Sequence, residues 1–114
     1  MEQVSVVNLE GEIDQHLGDE LLKNIVSLSK SETNGIILDF SHVEHIHYRV
    51  LSELVTVAKA CDLQPGDIKL VNLNPYTREI VRASGTDSYF EMYNSVEDAV
   101  MSFSHTADGS TWIH

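Results

Sequence analysis

Three histidines within six residues are the feature of this sequence that most suggests chemistry. His42, His45 and His47 lie in the run HVEHIHYR, and imidazole nitrogens are common ligands of Zn²⁺. The spacing H-x-x-H-x-H, however, does not place the three rings on one face of a helix. Val43 and Ile46 have the pattern of buried anchors in an extended loop, which leaves the histidines polar and outward. We therefore expect surface histidines and no metal site.

The same run leads into the first turn of a predicted second helix. Unpaired backbone N–H groups make a helix N-terminus positive, and Ser, Asp or Asn usually caps it. The sequence supplies His47, Tyr48 and Arg49 instead, and a cation there is unfavourable by about 0.3–1 kcal/mol. Two explanations are open. Packing of Val50 and Leu51 in the core outweighs this cost, or the site receives an anion or an acidic group of a partner through Arg49.

No catalytic motif accompanies these residues. The six glycines are scattered, and they form neither the G-x-G-x-x-G loop that cradles phosphates nor a G-x-S-x-G nucleophile turn. Asp39 ends a predicted buried strand, and ligands gather at strand ends in open α/β sheets. A single carboxylate is nevertheless weak support for catalysis. We expect that the chain is not an enzyme and holds no cofactor.

The charge balance argues against several classes of partner. The chain carries 7 basic and 18 acidic residues, for a net charge of −11, which opposes binding to nucleic acid or to anionic lipid. No apolar run approaches the ~20 residues that span a bilayer, and no signal peptide is visible. The single cysteine, Cys61, cannot form an internal disulfide. We expect a cytoplasmic protein with no nucleic-acid partner and no direct membrane insertion.

Strand-like and helix-like segments alternate along the chain. Short β-branched or apolar runs predict strands, and apolar residues at helical spacing predict helices. The predicted strands are Val4–Leu9, Ile36–Phe40, Ile68–Leu73 and Tyr89–Tyr93, and the predicted helices span about 17–30, 50–61, 75–85 and 95–103. This order is typical of an α/β domain with a mainly parallel sheet.

Local signals support two of the helix starts and the extent of the domain. Asn74 precedes Pro75, a favourable capping residue before proline at the first helical position. Ser95 and Asp98 have the spacing of a capping box. We expect one domain over residues 1–103, followed by a polar, loosely ordered tail over residues 104–114.

Five segments occur in an order that resembles a known family. They are Gly11–Asp14 (GEID), Ile37–Ser41 (ILDFS), Val43–Leu51 (VEHIHYRVL), Val71–Pro75 (VNLNP) and Glu97–Ala99 (EDA). Together they resemble the STAS domain, the family of anti-sigma factor antagonists and sulphate-transporter tails, over roughly Val4 to Phe103. The resemblance implies four to five mainly parallel strands with about four helices, which form a single layer on one side of the sheet. We expect the additional N-terminal strand of many members to be missing or very short here.

The resemblance also identifies a position at which a regulatory serine or threonine is replaced. In the antagonists the second helix opens with D-S-S-G or D-S-T-G, and an anti-sigma kinase phosphorylates the Ser or Thr before the glycine, which adds about −1.5 to −2 charges. Here this pattern aligns with His47-Tyr48-Arg49-Val50. Arg49 stands at the phospho-acceptor position and has no hydroxyl. Asp14 and Asp39 match family acids next to the switch, and a salt bridge with Arg49 is one role for them.

The resemblance implies a regulatory protein–protein interaction module that lacks the usual phosphorylation site. Its partner would be an anti-sigma factor, a kinase-like protein or a STAS scaffold, and a homodimer is also compatible. The partner-binding residues would be His47, Tyr48, Arg49, Ser52, Asn74 and Pro75. Two alternatives remain open: an accessory STAS subunit of a membrane lipid-transport ATPase, and a sensor of a phosphate- or nucleotide-bearing ligand that binds at the helix N-terminus.

Overall fold

The chain folds as alternating strands and helices. The computed structural model describes residues 3–33 and 35–108, with side chains described as far as Phe103. The elements in chain order are β1 (Val4–Ile13), α1 (Gln15–Ser29), β2 (Gly35–Ile46), α2 (Tyr48–Ala60), β3 (Ile68–Val71), α3 (Pro75–Ala83), β4 (Glu91–Tyr93) and α4 (Val96–Asp108). None of the described helices is long and apolar enough to cross a membrane.

The four strands form one parallel sheet in the order β1-β2-β3-β4. The predicted α/β class, with four parallel strands and four helices, is confirmed. β2 is longer than predicted, because residues 41–46 continue the strand and pair with β1 as far as Ile13 and Ile46. His42 and His45 therefore lie in the strand, with His47 directly after it, and the expectation of a loop is wrong for residues 42–46.

The two faces of the sheet carry separate apolar clusters, because successive strand residues point to opposite faces. Ile36, Leu38 and Leu70 belong to the larger cluster, which also holds the buried aliphatic side chains of α1, α2 and α3. Ile37 and Val71 belong to the smaller cluster, with Ala99 and Phe103 of α4. The expectation of one helix layer is thus wrong for α4, which packs against the opposite face.

Local capping signals mark the helix starts as expected. The Asn74 side chain caps α3 with Pro75 in its first turn, and the Ser95 hydroxyl oxygen accepts a hydrogen bond from the backbone N–H of Asp98 at 3.0 Å. Gly85, with φ of +78°, follows the end of α3, a conformation that glycine adopts at low cost. α4 continues to Asp108, so helix extends into the segment expected to be a loose tail. Residues 109–114 lie outside the described residues.

Candidate functional site

The N-terminus of α2 is capped by a histidine. The Nδ1 atom of His47 accepts a hydrogen bond from the backbone N–H of Arg49 at 3.1 Å, and the backbone N–H of His47 donates to the carbonyl of Ile13 at 3.0 Å. The imidazole therefore supplies the acceptor that Ser, Asp or Asn usually provides. The sequence shows no usual capping residue at this position, but His47 acts as the cap. The hydrogen bond between His47 and Ile13 holds it at the end of the β1–β2 pairing.

A groove opens between the start of α2 and one face of α3. It has a volume of about 390 Å³ and is lined by His45, Ile46, His47, Tyr48, Tyr76, Ile80, Ala83 and Ser84. Tyr76, Ile80 and Ala83 recur at the spacing of one helix face. We call this the α2–α3 groove. Its walls are mainly aromatic and aliphatic.

Two histidine–tyrosine stacks form the rim of the α2–α3 groove. His45 stacks on Tyr76 with ring centroids 5.5 Å apart, and His47 stacks on Tyr48 at 5.0 Å. Despite these contacts Tyr48 is 56% exposed and Tyr76 is 58% exposed. Each phenol is therefore accessible to solvent beside a stacked histidine ring, a contact that contributes about 0.5–1.5 kcal/mol beyond area burial in typical aromatic pairs.

Asn74 joins α3 to the strand that leads into the groove. Its Oδ1 atom accepts from the backbone N–H of Thr77 at 2.7 Å, while its Nδ2 atom donates to the carbonyl of Val43 at 3.2 Å. One side chain thus caps α3 and fixes that helix to β2. Pro75, which follows it, is exposed in the first turn of α3.

Arg49 does not line the α2–α3 groove, although it directly follows Tyr48. Residues four apart share a helix face, and Glu53, four residues after Arg49, accepts a hydrogen bond from the Gln15 side chain of α1 at 2.9 Å. Arg49 is exposed on this α1-facing side. The structure forms no ion pair between Arg49 and either Asp14 or Asp39, so the salt bridge considered for these residues is wrong.

The two acids matched to the family pattern have separate structural roles. Asp14 caps α1, since its Oδ1 atom accepts from the backbone N–H of Leu17 at 3.0 Å. Asp39 lies within β2 and accepts from the backbone N–H of Ser41 at 2.9 Å and from Asn72 Nδ2 at 3.2 Å. Burial alone raises the pKa of Asp39, but these hydrogen bonds and the nearby His42 lower that pKa below its ordinary value.

The predicted partner-binding residues therefore fall on three neighbouring surfaces. His47 and Tyr48 line the α2–α3 groove, whereas Arg49 lies toward α1. Ser52 lines a second cavity of about 290 Å³ between α2 and the turn after α3. Within the described residues no three His, Cys, Asp or Glu side chains are grouped so that they could hold a metal ion.

Sequence reasoning missed Tyr76, His45 and Ile80 as groove residues. Tyr76 directly follows the predicted Asn74-Pro75 helix start, and a large aromatic residue at an exposed helix start is a signal that could have identified it. The partner of this tyrosine is His45, 31 residues earlier in the chain. Only the packing of α3 beside the end of β2 brings the two rings together.

A family model for the STAS domain matches residues 1–99. BtrV of Bordetella bronchiseptica, named as a candidate anti-sigma factor antagonist, is 26% identical over 95 residues, which cover 83% of this chain and 82% of that protein. The crystal structure of an anti-sigma factor antagonist from Mycobacterium paratuberculosis superimposes with a TM-score of 0.74 at 26% identity, covering 90% of this chain and 86% of that one.

A third comparison concerns the fold alone. The Bacillus cell fate determinant SpoIIAA, solved in its phosphorylated form, superimposes with a TM-score of 0.62 at 18% identity, covering 90% of this chain and 93% of that one. The arrangement of four parallel strands and four helices is thus shared with proteins of that fold.

Proposed function

Since this chain belongs to the STAS domain family, we propose that it is an anti-sigma factor antagonist-like regulatory domain that binds a protein partner at the α2–α3 groove. The related proteins are named as anti-sigma factor antagonists, a class defined by acting on another protein. The groove supplies the surface that such a role requires on this chain.

The observation that carries the proposal is the pair of exposed tyrosines on the groove rim. Tyr48 and Tyr76 come from different helices, and each is held by a stacked histidine. Tyrosines that offer an apolar ring and a polar hydroxyl are enriched among residues that dominate binding energy at protein interfaces. Preorganised rings lose little conformational freedom when a partner covers them.

We also propose that binding is not controlled by phosphorylation at the acceptor position. The position aligns with Arg49, which has no hydroxyl and carries a fixed positive charge. Tyr48 and Ser52 bear the neighbouring hydroxyls, but neither occupies that position. A partner that tolerates Arg49 would meet the same charge at all times, so the domain would remain competent to bind.

Arg49 extends the proposed interface to the α1-facing side of α2. It is exposed, and the described residues offer it no ion pair. An acidic side chain of the partner is the natural counterpart, and charge complementarity of this kind increases both specificity and the rate of association. The partner would therefore contact the groove with apolar groups and Arg49 with a carboxylate.

Binding can be tested with a partner captured from the cells in which the protein occurs and then purified. We expect Tyr48→Ala and Tyr76→Ala each to weaken the complex by about tenfold or more, and Arg49→Glu by several-fold. Met101→Ala is the matched control, because Met101 is 62% exposed on α4, across the sheet from the groove. Equal affinities for all four variants in titration calorimetry would contradict the proposal.

The proposed absence of a phosphorylation site at position 49 can be tested with an anti-sigma kinase and radiolabelled ATP. We expect no phosphate transfer to the wild-type chain and measurable transfer to Arg49→Ser, which places a hydroxyl at the acceptor position. Arg78→Ser, on α3, is the control for a serine introduced elsewhere. Phosphorylation of the wild-type chain at Tyr48 or Ser52 would show that another residue serves as the switch.

The two alternative functions have less support. The related proteins of 26% identity are named as anti-sigma factor antagonists, and neither is named as a transport subunit. A ligand sensor would need Arg49 and the histidines to face one anion, yet Arg49 lies apart from the groove that His45 and His47 line. A shift of the thermal midpoint in ADP, GDP or phosphate would restore the sensor hypothesis.

A further inference from the structure

The two outer strands of the sheet differ greatly in length. β4 has three residues, whereas β1 has ten, and among the described residues β1 pairs only with β2. An edge strand presents a row of backbone N–H and C=O groups without strand partners, and proteins commonly protect such edges with short strands, proline or lysine. β1 contains neither proline nor lysine. Its pairing with β2 shifts register between Asn8 and Glu10 and again between Gly11 and Glu12, so the regular part of its outer edge runs from Val4 to Asn8. That part is the template that β1 offers to another strand.

A groove runs along this edge between β1 and α1. Its volume is about 310 Å³, and Val7, Asn8, Leu9 and Glu10 line it together with residues of α1 that include Leu17. Consecutive strand residues point to opposite faces of a sheet. Four consecutive lining residues therefore show that the groove meets β1 at its edge and not on one face. We call it the β1-edge groove.

The side chains that line the β1-edge groove carry negative charge. Glu10 of β1 and Glu20 of α1 line it, and both are exposed. Residues 1–20 contain no Lys or Arg. Glu20 contacts the His16 imidazole of the same helix at 3.4 Å, and Lys23 follows it by about one helical turn. Leu17, which is 39% exposed, adds an apolar contact between the two carboxylates. A ligand that suits these walls combines positive charge with apolar side chains.

We propose that the β1-edge groove binds an extended segment of another protein that carries lysine or arginine, which adds a strand beside β1. Main-chain hydrogen bonds along β1 supply affinity in this mode of recognition, and alternate side chains supply specificity. Basic side chains would meet Glu10 and Glu20, while apolar side chains would cover Leu17. A second copy of this chain is a poorer occupant, since its own β1 brings two glutamates and no cation. The site is separate from the α2–α3 groove and goes beyond the proposed function.

A synthetic peptide can test strand addition directly on the full-length protein. The probe is an acetylated and amidated seven-residue peptide of alternating lysine and valine. Its control has the same sequence with alternate backbone nitrogens methylated, which keeps the charge but blocks strand pairing. We expect the methylated peptide to bind about tenfold more weakly, because several main-chain hydrogen bonds are lost. In nitrogen–proton correlation spectra, the unmodified peptide should shift amides of β1 and α1.

Charge variants provide the second arm of the test. Glu10→Lys and Glu20→Lys should each weaken binding of the unmodified peptide by about threefold or more at low salt. Asp87→Lys changes net charge equally at an exposed position on the turn after α3 and should leave binding unchanged. Three results would each overturn the proposal. They are equal binding of the two peptides, amide shifts confined to the α2–α3 groove, and a dimer of the free protein whose β1 amides are protected from hydrogen exchange.

Discussion

Gly18 of α1 lies directly against Val50 of α2. A Cβ atom built on Gly18 would come within 2.5 Å of Val50 Cγ2, a separation far inside van der Waals contact. Val50 is fully buried and stiff about its first side-chain torsion, so it cannot turn aside. In the resemblance described above, Val50 occupies the glycine position of the antagonist pattern. The close approach of α1 and α2 at this point depends on the absence of a side chain at Gly18.

Replacement of Gly18 by alanine should therefore destabilise the protein. Alanine has a higher intrinsic helix propensity by roughly 1 kcal/mol, but overpacking of this kind typically costs about 1–3 kcal/mol. We expect a net loss for Gly18→Ala in urea unfolding, and partial recovery in Gly18→Ala/Val50→Ala relative to the sum of the single variants. Ser27→Ala, exposed on the same helix, is the control and should change stability little. A stabilised Gly18→Ala protein would contradict the predicted clash.

Lys69 is buried beneath α4, and the carboxylate of Glu91 pairs with its charge. It is 2% exposed, its ammonium pairs with Glu91, and it lies 4.3 Å from the centroid of the Phe103 ring. Burial alone raises the pKa of Glu91, but the hydrogen bonds from Lys69 and Tyr93 and the charge of Lys69 lower it. We expect Glu91→Gln to lower the free energy of unfolding at pH 7 by about 1–3 kcal/mol, because a buried ammonium loses its counter-charge.

The matching double variant separates this charge effect from a loss of packing. Lys69→Met keeps an apolar chain of similar length under α4, and replacement of a buried charge by an apolar group is often nearly neutral. Lys69→Met/Glu91→Gln should therefore be more stable than Glu91→Gln alone in urea unfolding. If Glu91→Gln were as stable as the wild type, the ion pair would not support α4.

Asp39 should contribute to the free energy of unfolding by an amount that depends on pH. Its folded-state pKa is lowered, so the folded state binds the proton less readily than the unfolded state. The contribution is complete above the ordinary aspartate pKa of about 3.9 and disappears as the pH falls through the lowered folded value. We expect Asp39→Asn to be less stable than the wild type at pH 7 and to approach it near pH 2.5. Urea midpoints at both pH values measure this, and Asp19→Asn, at an exposed site on α1, should match the wild type at both.

Asn74 performs two functions that substitutions can separate. Asn74→Ala removes both the cap of α3 and the bond to Val43, and should cost about 1–2 kcal/mol. Asn74→Asp keeps a capping oxygen but cannot donate to the Val43 carbonyl, so its thermal midpoint should lie between those of the wild type and Asn74→Ala. Asn94→Ala, exposed after β4, is the control. Equal midpoints for the two Asn74 variants would show that the cap contributes little.

Local sequence patterns predicted the order of elements because each pattern depends on neighbours in the chain. Asn74 and Pro75 marked the start of α3, and Gly85 marked its end, through preferences that require no tertiary contact. The length of β2 was not predictable in this way. Its polar end, His42 to Ile46, becomes a strand because β1 lies beside it.

The sequence contained a signal for the position of α4 that the expectation of a single helix layer did not take into account. Ile36–Phe40 is apolar on nearly every residue, which is typical of a strand buried on both faces. Such a strand needs a cover on each side, and Phe103 with Ala99 supplies the second. The α2–α3 groove offered no comparable signal, because His45 and Tyr76 meet only through the packing of α3 beside β2.

The parallel sheet gives the molecule two different ends, at the carboxyl and amino edges of its strands. This difference determines what a label or linker at the end of α4 leaves exposed. Every helix that follows a strand begins at the carboxyl edge of the sheet, so the groove tyrosines lie at that edge. α4 runs back over the sheet until Phe103 reaches Gly35, at the start of β2. A fluorophore, a surface linker or a fused reporter joined after residue 108 would therefore project from the opposite edge. Immobilised by that end, the domain would present Tyr48 and Tyr76 outward to any protein that flows past it.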